Sequence, residues 1–133
     1  MNDRRATGGC MCGGVRYSVH GPLREVTNCH CVRCRKFTGH FLAASGAATS
    51  EVHFEADESL AWYSPDSTVE YGFCATCGSS LFWRIIAVPE RLSIAAGAID
   101  QPTGLTTVSA WWVAEAGDYH ALPVGLENFD YEG

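Results

Sequence analysis

Apolar positions along this chain alternate more often than they recur every three or four residues. Val15, Tyr17 and Val19 stand two apart, as do Val69, Tyr71 and Phe73, and a strand turns alternate side chains to one face. Further short runs rich in Val, Ile, Thr, Tyr, Phe and Trp fall at 41–47, 51–54, 60–63, 81–86, 92–96 and 106–112. Between them stand Gly21-Pro22, Ser64-Pro65-Asp66, Pro89-Glu90 and Gln101-Pro102-Thr103-Gly104, residue types that reverse the chain. The pattern predicts a mainly β protein, with one helical turn after Cys31 and another closing the chain at 126–129. No repeat, linker or low-complexity segment interrupts it, so a single domain is expected over 1–133, with its core at about 8–129 and loose ends.

Composition agrees with that reading. A chain of 133 residues, 47% of them hydrophobic, can bury one substantial core. For Trp62, Trp83, Trp111 and Trp112, core packing or a homodimer interface is preferred over the walls of a pocket. No apolar run approaches the ~20 residues of a membrane span, and the first ten residues lack the apolar stretch of a secretory signal. A soluble, cytoplasmic protein without a membrane partner is expected.

Charge is unevenly placed. Seven of the nine basic residues (Arg4, Arg5, Arg16, Arg24, Arg33, Arg35 and Lys36) lie in the first 36 positions against Asp3 and Glu25, while the remainder of the chain is acidic and brings the net charge to −6. Nucleic acid would be repelled by that acidic remainder. A small anionic ligand near Arg33, Arg35 and Lys36 is the sharper reading, and solvated surface charge the bland one.

The seven cysteines change the picture most. An odd count excludes complete internal pairing, and a reducing compartment disfavours disulfides altogether. They fall in three groups: Cys10-Met11-Cys12, Cys29-His30-Cys31-Val32-Arg33-Cys34 and Cys74-Ala75-Thr76-Cys77. Zinc takes four tetrahedral ligands, and closely spaced cysteine pairs on tight turns each supply two. Gly13-Gly14 and Gly78 allow such turns. Cys10, Cys12, Cys74 and Cys77 thus make a closed site of structural type. Cys29, Cys31 and Cys34 supply three ligands, the number that leaves a position for substrate. A histidine could close this second site: His30 sits inside the motif, but in an extended segment its neighbours point the other way. His20, His40, His53 and His120 lie elsewhere. A redox role for Cys74 and Cys77 would need a βαβ context that the pattern lacks.

Together these blocks resemble the glutathione-dependent formaldehyde-activating enzymes, a family grouped with centromere protein V-like domains. The resemblance rests on Gly9-Cys10-Met11-Cys12-Gly13-Gly14-Val15-Arg16-Tyr17, on 29–39 with its three cysteines, on Phe73-Cys74-Ala75-Thr76-Cys77-Gly78-Ser79-Ser80-Leu81-Phe82, and on Ala96-Gly97-Ala98-Ile99-Asp100. It implies a β-tent zinc-binding fold of short antiparallel strands holding two zinc ions. By motif position Cys10, Cys12, Cys74 and Cys77 match structural ligands, and Cys29, Cys31 and Cys34 match catalytic ones. The activity it implies is that of a carbon-sulfur lyase joining formaldehyde to glutathione as S-(hydroxymethyl)glutathione. His40-Phe41-Leu42 departs from the family's usual pattern, and Trp111-Trp112 sits in a region where its members differ. Asp100 matches its G-x-x-D turn, for which a turn or cap role is favoured.

Those residues permit a mechanism. A substrate thiol on the open zinc would lose its proton and attack an aldehyde carbon. Arg33, Arg35 or Lys36 would hold the carboxylates of a small thiol such as glutathione. The competing reading is a non-catalytic zinc module that binds or carries glutathione or a protein partner. A methionine sulfoxide reductase would need a redox cysteine beyond the metal motifs.

Overall fold

The computed structural model describes residues 6–133; Asp3, Arg4 and Arg5 of the N-terminal charge cluster lie outside the described residues. The strands are β1 (Ala6–Gly9), β2 (Arg16–Val19), β3 (Val26–Cys29), β4 (Leu42–Ala48), β5 (Val52–Ala56), β6 (Leu60–Tyr63), β7 (Val69–Cys74), β8 (Ser80–Ile85), β9 (Arg91–Ala95), β10 (Thr107–Trp111) and β11 (Glu127–Asn128), with the helix α1 (Val32–Thr38) after β3. They form a small sheet in the order β1-β2-β5 and a large one in the order β11-β10-β3-β4-β9-β8-β7-β6. Pairing is antiparallel except where β10 runs parallel to β3 and to β11.

Alternation divides the large sheet between two tasks. Phe82, Leu92, Ile94 and Ala47 pack with Val15, Tyr17 and Val19 from the small-sheet side, making the main core. Leu42, Ala44, Tyr71 and Ala95 form a second cluster that includes Cys34 of α1, with Trp83 and Phe37 packed against it. Tyr71 and its neighbour Gly72 show the division: Tyr71 joins the second cluster, while a side chain added at Gly72 would meet Trp62 and Phe82. One sheet thus carries a core on one face and the helix on the other.

Cys31 caps α1: its Sγ accepts the Cys34 N–H at 3.3 Å, and its carbonyl accepts from Arg35 at 2.8 Å. Gly39 ends the helix at φ 87°, a left-handed conformation that costs glycine nothing, and its N–H reaches the Arg35 carbonyl.

The structure departs from the sequence pattern at three places. β1 and β3 escaped the strand pattern; Gly8 of β1 lies so close to Tyr17 and the Ala98 carbonyl that a Cβ would collide with both. The segment expected to close the chain as a helical turn instead contains β11, which fills the open edge of β10. The C-terminal end is pinned, not loose, because the Phe129 N–H bonds Ala110 O and the Trp112 N–H bonds Tyr131 O, at 2.8 and 2.9 Å. At this junction Trp112 takes a positive φ of 58°, alone in that among the described non-glycine residues.

Phe82 is fully buried and its ring lies 5.4 Å from Tyr17, 5.8 Å from Phe54 and 6.0 Å from Trp62. Phe82→Ala is expected to remove about 3–5 kcal/mol of stability in a urea titration of the metal-loaded protein. A loss under ~1 kcal/mol would show that these rings are not the centre of the core.

Candidate functional site

Two hairpin turns bring the first cysteine group together. Cys10 and Cys12 follow β1, Cys74 ends β7, and Cys77 lies in the turn between β7 and β8. Their four Sγ atoms all lie within 4.8 Å of one another. Cys12 Sγ is 3.7 Å from both Cys10 Sγ and Cys74 Sγ, close to the ~3.8 Å edge of a sulfur tetrahedron drawn ~2.3 Å from a zinc centre. Gly78, at φ 81°, lets the second turn close so that its N–H reaches the Cys74 carbonyl.

Surrounding donors favour thiolate. The Val15 N–H points to Cys10 Sγ at 3.2 Å and the Cys77 N–H to Cys74 Sγ at 3.4 Å. Ser79 Oγ stands 3.1 Å from Cys77 Sγ while accepting the Met11 N–H, and Ser59 Oγ stands 3.2 Å from Cys74 Sγ. The Ser79 hydroxyl and amide hold the Cys77 thiol down at about 5, and the Ser59 hydroxyl lowers Cys74. The Gly14 amide favours a Cys12 thiolate too, yet the crowding sulfurs, Cys10 foremost, push that thiol up to about 11. Four sulfurs this close cannot all be anionic without a cation among them. The donor set fits zinc.

The second group stands on the other face of the large sheet. Cys29 ends β3, Cys31 caps α1 and Cys34 lies in its first turn. Their sulfurs also lie within 4.8 Å of one another. Hydrogen bonds from Cys29 and Cys34 pull Cys31 down to about 2, while Cys29, facing the Cys31 thiolate, is pushed up to about 12 and Cys34 is raised as well. The same conflict between like charges makes this trio a fit for a divalent cation. His30 does not join it. Its ring is buried against Phe41 at 5.0 Å and His120 at 5.8 Å, with neither ring nitrogen hydrogen-bonded.

A cavity of about 460 Å³ opens onto this trio. Leu42, Val69, Tyr71, Trp83, Trp111 and Trp112 form apolar walls, with Arg24, Thr27 and Ser93 also in the lining. Glu115 and Glu132 supply acidic groups; one accepts the Val32 N–H and the other the Trp112 indole N–H. Tyr71 Oη lies 3.5 Å from Cys34 Sγ, and burial raises its pKa, so the phenol keeps its proton at neutral pH.

The basic residues expected at an anion site separate. Arg33 lines the cavity but is paired with Asp66 at 3.0 Å. It also lines an adjoining cleft of about 590 Å³ together with Lys36, Phe37 and Tyr63. Arg35 lines neither hollow, and its buried Nε has no hydrogen-bond partner. Trp83, Trp111 and Trp112 line the cavity, Trp83 while also packing against the second core cluster. Trp62 packs on Phe82 beneath the Arg84 guanidinium. Asp100 accepts from Thr7 and Arg16, both at 2.7 Å, tying β1 to β2 as a structural contact.

Sequence reasoning passed over Arg24 and Tyr71. Tyr71 carried a signal, since its alternation with Val69 set it on a sheet face; Arg24 carried none beyond its charge.

A family model described as glutathione-dependent formaldehyde-activating enzyme matches residues 5–115. A crystal structure of a Rhodobacter sphaeroides protein is similar in fold, with a TM-score of 0.60 and 21% identity over 92% of this chain and 98% of that one. No helix among the described residues is long and apolar enough to cross a membrane. The chain belongs to the glutathione-dependent formaldehyde-activating enzyme family.

The hydroxyl on Cys77 gives a first test. Ser79→Ala is expected to weaken zinc retention at the four-cysteine cluster about 10–100-fold in competition with a chromogenic chelator, as loss of a hydrogen bond behind a metal ligand does. An unchanged affinity would show that this hydroxyl does not tune the sulfur.

Proposed function

We propose, from that membership and the geometry of the three-cysteine site, that the chain is a zinc-dependent carbon-sulfur lyase-like protein. Its substrate is the adduct of a thiol such as glutathione with an aldehyde, as in S-(hydroxymethyl)glutathione formation. The observation that carries the reading is the convergence of Cys29, Cys31 and Cys34 on one side of a cavity with a coordination position left over. Cys10, Cys12, Cys74 and Cys77 would hold the structural ion, and the trio would hold the catalytic one. A reducing cytoplasm suits both sets of thiols.

A zinc ion on the trio would acidify a substrate thiol and keep its sulfur nucleophilic at neutral pH. The remaining work belongs to the chain. Leu42 and the tryptophans exclude water from the reacting atoms. The protonated Tyr71 hydroxyl, beside Cys34, donates a hydrogen bond to the aldehyde oxygen as negative charge grows there. A carbon-sulfur bond forms, the carbonyl π bond opens, and the oxygen takes up the proton that the thiol gave up, becoming the adduct hydroxyl; the reverse steps release aldehyde and thiol. Arg33, at the cavity, can exchange Asp66 for a substrate carboxylate. Lys36 in the adjoining cleft and Arg35 behind it enlarge the positive field around α1.

The two cysteine groups are expected to respond differently to loss of a ligand. Cys74→Ser should unfold the domain or lower its melting point sharply, because binding at the closed site is coupled to folding. Cys31→Ser should keep a native circular dichroism spectrum and lose one zinc of two by atomic absorption. Like behaviour of both variants would overturn the division of roles.

Catalysis is tested by NMR exchange spectroscopy with glutathione and formaldehyde. The zinc-loaded protein should speed adduct exchange above the uncatalysed rate, Cys31→Ser should abolish the effect, and Tyr71→Phe should slow it about a hundredfold with little change in thiol binding. Binding without acceleration would instead establish a glutathione-carrying module.

A further inference from the structure

Arg24 lies in the wall of the cavity that holds the cysteine trio. Its Nη1 donates to Thr27 Oγ1 at 3.0 Å and to the Glu25 carbonyl at 3.3 Å, and its Nη2 donates to the Ser45 carbonyl at 3.2 Å. These acceptors are neutral. Among the described residues the Nε–H and the second hydrogen on Nη2 have no acceptor, and no carboxylate pairs with Arg24. Arginine does not deprotonate in proteins; the residue is exposed as a whole, and partial desolvation together with nearby Arg91 lowers its pKa. A cation fixed by neutral oxygens and left with an open donor edge is suited to two-point binding of a carboxylate.

Backbone packing holds the guanidinium there. The Arg24 N–H bonds the Gly46 carbonyl at 2.9 Å, and a Cβ at Gly46 would stand 3.3 Å from Arg24 Nε, tighter than ordinary contact. Gly46 therefore leaves the space that the side chain crosses.

The strand sets the distance to the metal site. Thr27, which receives the Arg24 hydrogen bond, and Cys29, a sulfur of the trio, are two positions apart on β3 and both line the cavity. Same-face neighbours on a strand are about 7 Å apart, so the Arg24 guanidinium, bonded to Thr27, lies on the order of 7–10 Å from the trio. Leu42 and Ala44 pair with Cys29 and Thr27 on the next strand and floor that interval with apolar atoms.

We propose that Arg24 is the carboxylate-binding residue of this cavity, and that its substrates are thiols bearing a carboxylate about 7–10 Å from sulfur along an apolar-faced spacer. This rests on the reading that a substrate thiol meets a zinc ion on Cys29, Cys31 and Cys34. It assigns the principal anionic contact to Arg24, before β3, with Arg33 secondary because Asp66 already occupies it.

The test uses the zinc-loaded full chain and three probes: 6-mercaptohexanoate, its carboxamide, and hexanoate, which lacks sulfur. Tryptophan fluorescence reads binding, since tryptophans line the cavity, and zinc K-edge absorption reads contact between sulfur and metal. The acid should bind wild type about tenfold more tightly than the amide. In Arg24→Met that ratio should fall to about one, while the thiol still changes the zinc spectrum; Arg24→Lys, which keeps charge but loses the fork, should fall between. Circular dichroism checks that both variants fold, and Gly46→Ala, which crowds the guanidinium without removing it, should also reduce the preference for the acid. Equal binding of acid and amide by wild type, or an undiminished preference in Arg24→Met, would overturn the proposal. If no thiol alters the zinc spectrum but hexanoate binds in an Arg24-dependent manner, the thiol-on-zinc reading falls and the carboxylate subsite stands.

Discussion

Four sulfur atoms from two different sheets must meet within 4.8 Å, and most of the fold follows from that constraint. Cys10 and Cys12 sit at the turn of a hairpin in the small sheet, and Cys74 and Cys77 at the turn of a hairpin in the large one. Holding the turns together lays β1 and β2 across β7 and β8. Val15, Tyr17 and Val19 then face Leu81, Phe82 and Ile94, and all six are fully buried. The crowding that makes the sulfurs costly as bare thiolates makes them suitable around a dication. Apolar burial and metal chemistry therefore reinforce one arrangement, the agreement between levels expected of a sequence that specifies one structure.

With one face of the large sheet committed to that core, its other face is free to position chemistry. Residues facing the cavity come from successive strands in register. Cys29 stands between Trp111 and Leu42, and Thr27 between Ser109 and Ala44. Cys29 and Thr27 are thereby spaced by the pleat, a rigid way to hold side chains toward a cavity. The parallel pairing of β10 with β3 is what brings Trp111 alongside Cys29.

The sequence disclosed the strands that alternate cleanly and the two cysteine groups, because alternation and ligand spacing are local properties. β1 was hidden because Gly8 and Gly9 bring no β-forming side chain, the smallness of Gly8 being demanded by Tyr17 across the sheet and that of Gly9 by the Val15 carbonyl and Arg16. The tail was misread because its pairing with β10 is tertiary, and its own residues carry little preference. Arg33, Arg35 and Lys36 look like one patch in the sequence. A helix turns about 100° per residue, so α1 distributes them among the cavity, the buried side and a neighbouring cleft. Arg24 could not be singled out because its meaning comes from Gly46, on a strand that lies beside it only after folding.

The cavity is assembled from two kinds of material. Its metal-facing part comes from β3, α1 and β7, whereas Glu132 comes from the tail that follows β11. The stretch shared with the family ends at residue 115, so that tail lies outside it. A change there alters what Trp112 and Glu132 present to a ligand without touching a cysteine or a core strand. Such separation gives evolution a module to vary: the rim of the cavity can drift among descendants of one ancestor while the two cysteine groups stay intact.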